Sequence, residues 1–396
     1  MKNRNIIIVG QQAWDTEIGS NCKNIALEFS KQNRVLYINP ALDRISKWRG
    51  RNDPKVIKRM EVINGNQSGI EEISSNLITL YPSCLLESIN WLPHALFNRI
   101  NKLNNKRFFH AIKPVIAALN FTNPVLFNDG DMFRSFHLID LLKPDFSIYY
   151  SRDNMLATSY YGKHGTLIEP QLITKNNLCV ANSEYLRDYC AKYNFNSHYV
   201  GQGCDFDLFD DYLQKQGHQT KISNKKPVIG YVGVLTAARL NIQLIEHIAR
   251  SRPEWTIELV GPEDDAFKTS KLHDLENVKF WGAQPISDLP KFIDGFDVCF
   301  NPQVLNDLTI GNYPRKIDEY LVMGKPTIAT KTKSMEAFKD HVFLANNLQE
   351  YLTGISELMK NNSASYTTER VNFARSHSWE RSVSEIYKAC NKTQLL

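Results

Sequence analysis

Residues 306–330 (NDLTIGNYPRKIDEYLVMGKPTIAT) gather groups suited to a phosphorylated ligand. Arg315 and Lys316 stand side by side. Glu319 follows one helical turn later, and Gly324, Lys325 and Pro326 close the segment before a short apolar run. A helix that begins at Arg315 would aim its first N–H groups and the two cations at a diphosphate, because helix N-termini carry unpaired donors and positive partial charge. One of these two side chains is expected to point out to solvent. The Glu319 carboxylate suits a ribose diol, which offers it two hydroxyl donors. Upstream, glycine at 311 lets the backbone of Gly311 and Asn312 approach a ligand closely.

Such groups need a rigid frame, and the periodicity supplies one. Residues 5–10 (NIIIVG) form a short β-branched run ending in glycine, the pattern of a buried parallel strand. A helix over 22–31, with Ile25, Ala26 and Phe29 on one face, leads to a second strand at 34–39. Gly19 and Ser20 precede it, with Ser20 placed as its N-cap. Further strands are expected at 76–82, 124–127, 146–150, 178–181 and 198–200, and a helix over 184–192 behind Ser183. A helix carries Leu96, Ile100 and Leu103 downstream of Pro93. Residues 214–227 (QKQGHQTKISNKKP) are polar and aperiodic and read as a linker. A second series follows, with strands at 228–232, 256–260, 278–280, 298–301 and 327–329 and helices at 240–250, 287–293 and 315–323. Strand–helix alternation of this kind implies right-handed crossovers and parallel sheets, twice over.

The 396 residues therefore divide into a first domain over 1–213, the linker, a second domain over 228–375 and a closing segment over 376–396. That last segment reads as an amphipathic helix, with Trp379, Val383, Ile386 and Tyr387 on one face.

Several chemistries are excluded by what the sequence lacks. No G-x-G-x-x-G follows the first strand, since Gly10 is succeeded by Gln11, Gln12 and Ala13, and no P-loop occurs. The seven cysteines are scattered without a C-x-x-C pair, which argues for free thiols in a reducing compartment rather than disulfides or zinc. The ten histidines show no ligand spacing. No apolar run is long enough to cross a bilayer, and the first residues lack the pattern of a signal peptide, so a cytoplasmic location is expected. The net charge of +5 is too small, and unaccompanied by any motif, to suggest nucleic acid. It is nonetheless concentrated: residues 44–59 and 99–113 are strongly basic. Either these are solvated surface or they contact an anionic membrane face or a lipid-phosphate acceptor.

With these residues in view, the chain resembles the GT-B glycosyltransferases that use nucleotide-sugar donors, and within them the bacterial group that builds teichuronic acid and capsule. The stronger match is in the second half: IGYVGVLTAARLNIQLI (229–245), WTIELVGP (255–262), NVKFWGAQPISDLPKFI (277–293), FDVCFNP (296–302) and YPRKIDEYLVMGKPTIAT (313–330). CVANSEYLRDY (179–189) and VGQGCDFDLF (200–209) carry it in the first half.

The resemblance implies an α/β protein of two Rossmann-like, doubly wound parallel-sheet domains facing a cleft. The second domain would hold the donor and the first the acceptor, with the closing helix returning to the first. It implies donor contacts at the loop starting at Gly233, at Arg239 and at Lys316, backbone contacts to the base at 282–286, and a role for the loop around Gly19 toward donor or acceptor.

No cofactor or resident metal is implied. Asp129-Gly130-Asp131 looks like the metal-binding D-x-D of the other major transferase fold, which is a single-domain architecture. Retaining members carry a Glu eight positions before the one matched by Glu319. Here that position is Gly311, so the anomeric outcome stays open. An inverting reaction needs a base near the acceptor hydroxyl. Asp153, at the end of a buried strand, is the first choice, and Asp129 and Asp131 the second. Two other readings of the chain are an epimerase acting on UDP-sugars and a non-catalytic subunit that binds a nucleotide sugar.

Overall fold

The computed structural model describes residues 1–16, 19–216 and 226–393. The chain forms two compact units, Met1–Gly201 with Trp379–Leu396, and Gln202–Ser378.

Among the described residues, the first unit holds an eight-stranded sheet. Its strand order is Ser197–Tyr199, Leu178–Ala181, Phe146–Ser151, Val125–Asn128, Asn5–Val9, Arg34–Ile38, Leu77–Leu80 and Ile70–Ser74. All pairings are parallel except the last, where Ile70–Ser74 runs antiparallel to Leu77–Leu80. Side chains alternate across a strand, so Asn5–Val9 feeds two cores. Ile6 and Ile8 pack with Ile25, Ala26 and Phe29 of helix Asn21–Ser30. Ile7 and Val9 pack with Phe108 and Ile112 of helix His94–Ala118. Helix Trp379–Lys392 joins the first of these cores through Trp379, Val383 and Ile386, and Asn33 donates from Nδ2 to the Tyr387 hydroxyl at 3.0 Å.

The second unit holds a six-stranded, wholly parallel sheet. Its order is Val278–Gly282, Thr256–Val260, Val228–Val232, Val298–Asn301, Thr327–Thr330 and Phe343–Ala345. Its two cores lie on opposite faces: Ile229 and Tyr231 belong to one, Val232 to the other. Helix Asp207–Gln216, which the sequence assigns to the first domain, places Phe209 in the second unit beside Ile317 and Tyr320. Residues 217–225 of the expected linker lie outside the described residues.

In each sheet the chain begins in the middle, builds to one edge, then returns to the other side of its first strand. Loops leaving the two central strands are thereby brought together at the strands' C-terminal ends, where ligands of such folds bind. In the second unit these are the loops after Val232 and after Asn301. In the first they follow Val9 and Asn128.

Candidate active site

The two loops of the second unit are stitched together. Val304 N donates to Arg239 O at 2.9 Å, Asn306 Nδ2 to Ala238 O at 2.9 Å, and Asn241 N to Pro302 O at 2.9 Å. Helix Arg315–Val322 follows the second loop directly. Its first turn presents Lys316 to the first loop. The ammonium donates to the Tyr231 hydroxyl and lies over the Tyr231 ring, 4.0 Å from its centroid. A Cβ placed on Gly233 would sit 2.7 Å from Lys316 Nζ. Gly233 has φ +141, a conformation side chains other than glycine's rarely tolerate. Behind it, a Cβ on Gly261 (φ +147) would lie 2.0 Å from the Gly233 carbonyl oxygen. Two glycines thus clear the space into which one lysine reaches.

Around that lysine the polar groups are only partly committed. Arg315 N donates to Tyr313 O at 3.1 Å and Ile317 N to Pro314 O at 2.9 Å. The expected cradle of first-turn amides is therefore reduced to Lys316 N, which carries no protein hydrogen bond among the described residues. Both cations are partly buried, with the Arg315 side chain 34% exposed. Arg315 turns along its helix, with Nη2 3.7 Å from Glu319 Oε1 and its Nε buried without a partner. Burial pushes the Glu319 carboxyl above its ordinary value, against the pull of Arg315 and Lys316. The Arg239 guanidinium makes no hydrogen bond or ion pair with the described residues. Gly311 is buried, and Asn312 N donates to Thr309 O at 3.2 Å.

Residues 226–361 match the family model of glycosyl transferases group 1. This part of the chain is similar to the group 1 glycosyltransferase domain. Over 233 residues, 56% of the chain, the sequence is 23% identical to a Bacillus subtilis protein named for teichuronic acid biosynthesis glycosyltransferase, TuaH. That match spans 58% of the Bacillus protein's length. Solved structures extend the likeness to nearly the whole chain. One is Anabaena HepE in complex with UDP and glucose, at 14% identity and a TM-score of 0.61, covering 98% of this chain and 100% of that one. Another is sucrose-phosphate synthase from Thermosynechococcus elongatus, at 12% identity and a TM-score of 0.68, covering 98% and 99%. The two α/β units have the GT-B fold.

Within residues 226–361, two features escaped the sequence reading. Tyr231, the partner of Lys316, sits on a strand whose apolar run hid it. Asp318, next to Glu319, is fully buried and accepts from the Tyr313 hydroxyl and from His377 Nδ1, each at 2.7 Å. Burial raises its carboxyl above the ordinary value despite His377. Adjacent acids on one helix therefore do different work: Asp318 anchors the helix and Glu319 remains partly open. The spacing D-E before an apolar run gave no way to tell them apart.

The remaining predicted residues, Asp153 and Gly19, belong to the first unit. Arg152 there gathers two of the carboxylates: Nε lies 2.8 Å from Asp129 Oδ1 and Nη1 3.3 Å from Asp153 Oδ2. Asp129 is fully buried and also accepts from Gln11 N at 3.3 Å. Asp131 is buried against Arg134 at 3.1 Å and caps the turn through Arg134 N at 3.2 Å. Of the three candidate bases, Asp153 has the accessible carboxylate, 37% exposed. Gly19 is exposed. Ser20 takes the N-cap position of helix Asn21–Ser30, but its hydroxyl makes no capping bond and is buried without a partner.

Among the described residues no three His, Cys, Asp or Glu side chains converge as a metal-binding group. No described helix is long and apolar enough to cross a membrane.

Proposed function

We propose that the protein transfers a sugar from a nucleotide-diphosphate donor to a surface-glycan acceptor carried on a lipid. One observation carries this reading: Lys316 reaches across Tyr231 to the side-chain-free space at Gly233, on a loop that also bears the unpaired Arg239. Two cations at a switch-point crevice suit a pyrophosphate, and they stabilise the charge that develops on it as the glycosidic bond breaks. Glu319 accepts from the ribose hydroxyls, and the backbone at Gly311 and Asn312 lies along the donor sugar. Gly19, on the corresponding loop of the first unit, would serve the donor or the acceptor. Asp153, held by Arg152, takes the proton from the acceptor hydroxyl. The reaction would need no resident metal, so EDTA should leave turnover unchanged.

The acceptor's lipid would be met at an inner membrane face by the basic helices Arg44–Arg49 and His94–Ala118. These present Trp48 (72% exposed) and Leu103 (54% exposed) among their cations.

Thermal shift with UDP, GDP and their sugars tests the donor reading, since a ligand of the native state raises its stability. One of these nucleotides should raise the melting temperature, and Lys316→Ala should weaken it by about tenfold or more, because charge-assisted hydrogen bonds contribute ~1.5–3 kcal/mol. If none of them binds, the proposal is wrong. Asp153→Asn should abolish transfer while nucleotide affinity is kept. Interconversion of UDP-sugars without acceptor would point to the epimerase instead.

A further inference from the structure

The first unit contains a cavity of about 580 Å³, within the size range of small-molecule sites, to which the reading above assigns no ligand. Its walls are aromatic: Trp91, Tyr160, Tyr161 and Phe133 line it, with Trp91 70% and Tyr160 54% exposed. Phe133 stacks on Tyr161, which in turn accepts from Gln11 Nε2 at 2.8 Å, so this wall is fixed in place.

The lining holds three acids, Asp43, Glu87 and Asp131, and three cations, Arg49, Arg134 and Lys163, but Arg44 and Arg107 from outside it pair with Glu87 and leave an excess of cations. Each acid is already committed. Asp43 accepts from Ser46 N at 3.0 Å and from the Ser46 hydroxyl at 2.7 Å. Glu87 is paired with Arg44 and Arg107 at 2.7 and 2.8 Å, and Asp131 with Arg134 at 3.1 Å. The cations Arg49 and Lys163 have no acid. Arg49 makes no hydrogen bond or ion pair with the described residues, and Lys163 Nζ bonds only the Trp91 carbonyl, at 2.9 Å.

The lining also holds a side chain with an uncommitted donor, Asn101. Asn101 is 4% exposed. Its Oδ1 accepts from Asn105 Nδ2 at 3.3 Å, but its Nδ2 donates to nothing among the described residues. That amide donor is available to a ligand in the cavity.

We propose that this cavity binds an anionic saccharide. Trp91 and Tyr160 offer flat apolar faces to a sugar ring, Asn101 Nδ2 donates to a ring substituent, and Arg49 and Lys163 hold a carboxylate or phosphate on the same sugar. The proposal rests on the assignment of the first unit to the acceptor, and it names that acceptor's chemical class: a sugar bearing an acid group close to the ring.

Isothermal titration of the full chain with methyl glucuronide, glucose phosphate, methyl glucoside and inorganic phosphate tests it. The glucuronide and the sugar phosphate together distinguish a carboxylate from a phosphate source. At least one of them should bind about tenfold tighter than the neutral glucoside, as charge-assisted pairing requires. Arg49→Ala/Lys163→Ala should erase that preference, and Asn101→Ala should weaken the charged ligand and the glucoside alike. The two cations are surface residues, so the double variant keeps its fold. Equal binding of charged and neutral sugars, or a preference that survives the double variant, overturns the proposal. So does inorganic phosphate binding as tightly as the sugar phosphate. UDP or GDP titration into the same double variant reads the donor site separately. If the nucleotide binds and the acidic sugars do not, only this inference falls. If the acidic sugars bind and the nucleotide does not, the donor reading falls.

Discussion

A methyl group on Gly233 would meet Lys316 Nζ at 2.7 Å on a backbone at φ +141. Gly233→Ala therefore has two separable consequences. Strain at such a conformation costs ~1–3 kcal/mol, and the displaced ammonium can no longer occupy the space that the ligand shares. The variant should show a lowered melting temperature together with loss of the nucleotide-induced shift. Arg239→Ala should lose much of that shift with the melting temperature of the free protein unchanged, because the Arg239 side chain makes no hydrogen bond or ion pair with the described residues. A Gly233→Ala protein that binds nucleotide as well as the parent would show that the glycine serves only the turn.

At the scale of elements, Glu169 links three of them. It lies in helix Ser159–Lys175 and accepts from Tyr149 on strand Phe146–Ser151 and from Tyr189 on helix Glu184–Ala191. It is 3% exposed and has no cation against it among the hydrogen bonds it makes, so burial raises its carboxyl above the ordinary value, with the two hydroxyls pulling the other way. A carboxyl raised by folding favours the native state when protonated. That contribution is complete below about pH 4, the ordinary carboxylate range, and is lost as pH climbs through the raised value. Glu169→Gln, uncharged at every pH, should melt above the parent near about pH 8, with the gap closing toward about pH 4. A constant gap across that range would mean that the carboxyl does not titrate with folding.

The same elements show what a sequence discloses. Strands 228–232, 256–260 and 298–301 have the bounds expected of them, because a strand buried on both faces must be an apolar, β-branched run. Ile70–Ser74 was missed: it is an edge strand whose sequence, IEEIS, carries no apolar face. Helix Ser159–Lys175 was hidden by Gly162, Gly165 and Pro170 inside it. Helix His94–Ala118 was read only in part, since its buried face includes Asn101, Asn104 and Asn105. The site divides in the same way. Arg315, Lys316 and Glu319 are neighbours in sequence and could be read together. The contact from Lys316 to Tyr231 joins residues 85 positions apart, and only the fold creates it.

At the scale of the molecule, the first unit is discontinuous in sequence. Helix Trp379–Lys392 completes a core otherwise built from the first 201 residues. Ile386 is fully buried there, so Ile386→Ala should cost ~2–5 kcal/mol of that unit's stability. Denaturant unfolding should register this loss, while the nucleotide shift, which reports on the second unit, should be retained at low denaturant. If the two losses occur together, the units unfold as one.

The polypeptide leaves the first unit at Gly201 and re-enters it at Trp379, with the intervening 202–378 forming a self-contained body. During synthesis, then, the half made earlier must wait with part of its apolar interior open until Trp379–Lys392 has left the ribosome. The half made later closes from a single unbroken segment. Maturation thus runs against the order of translation, and a nascent chain stalled before Trp379 would expose a ready target for chaperones.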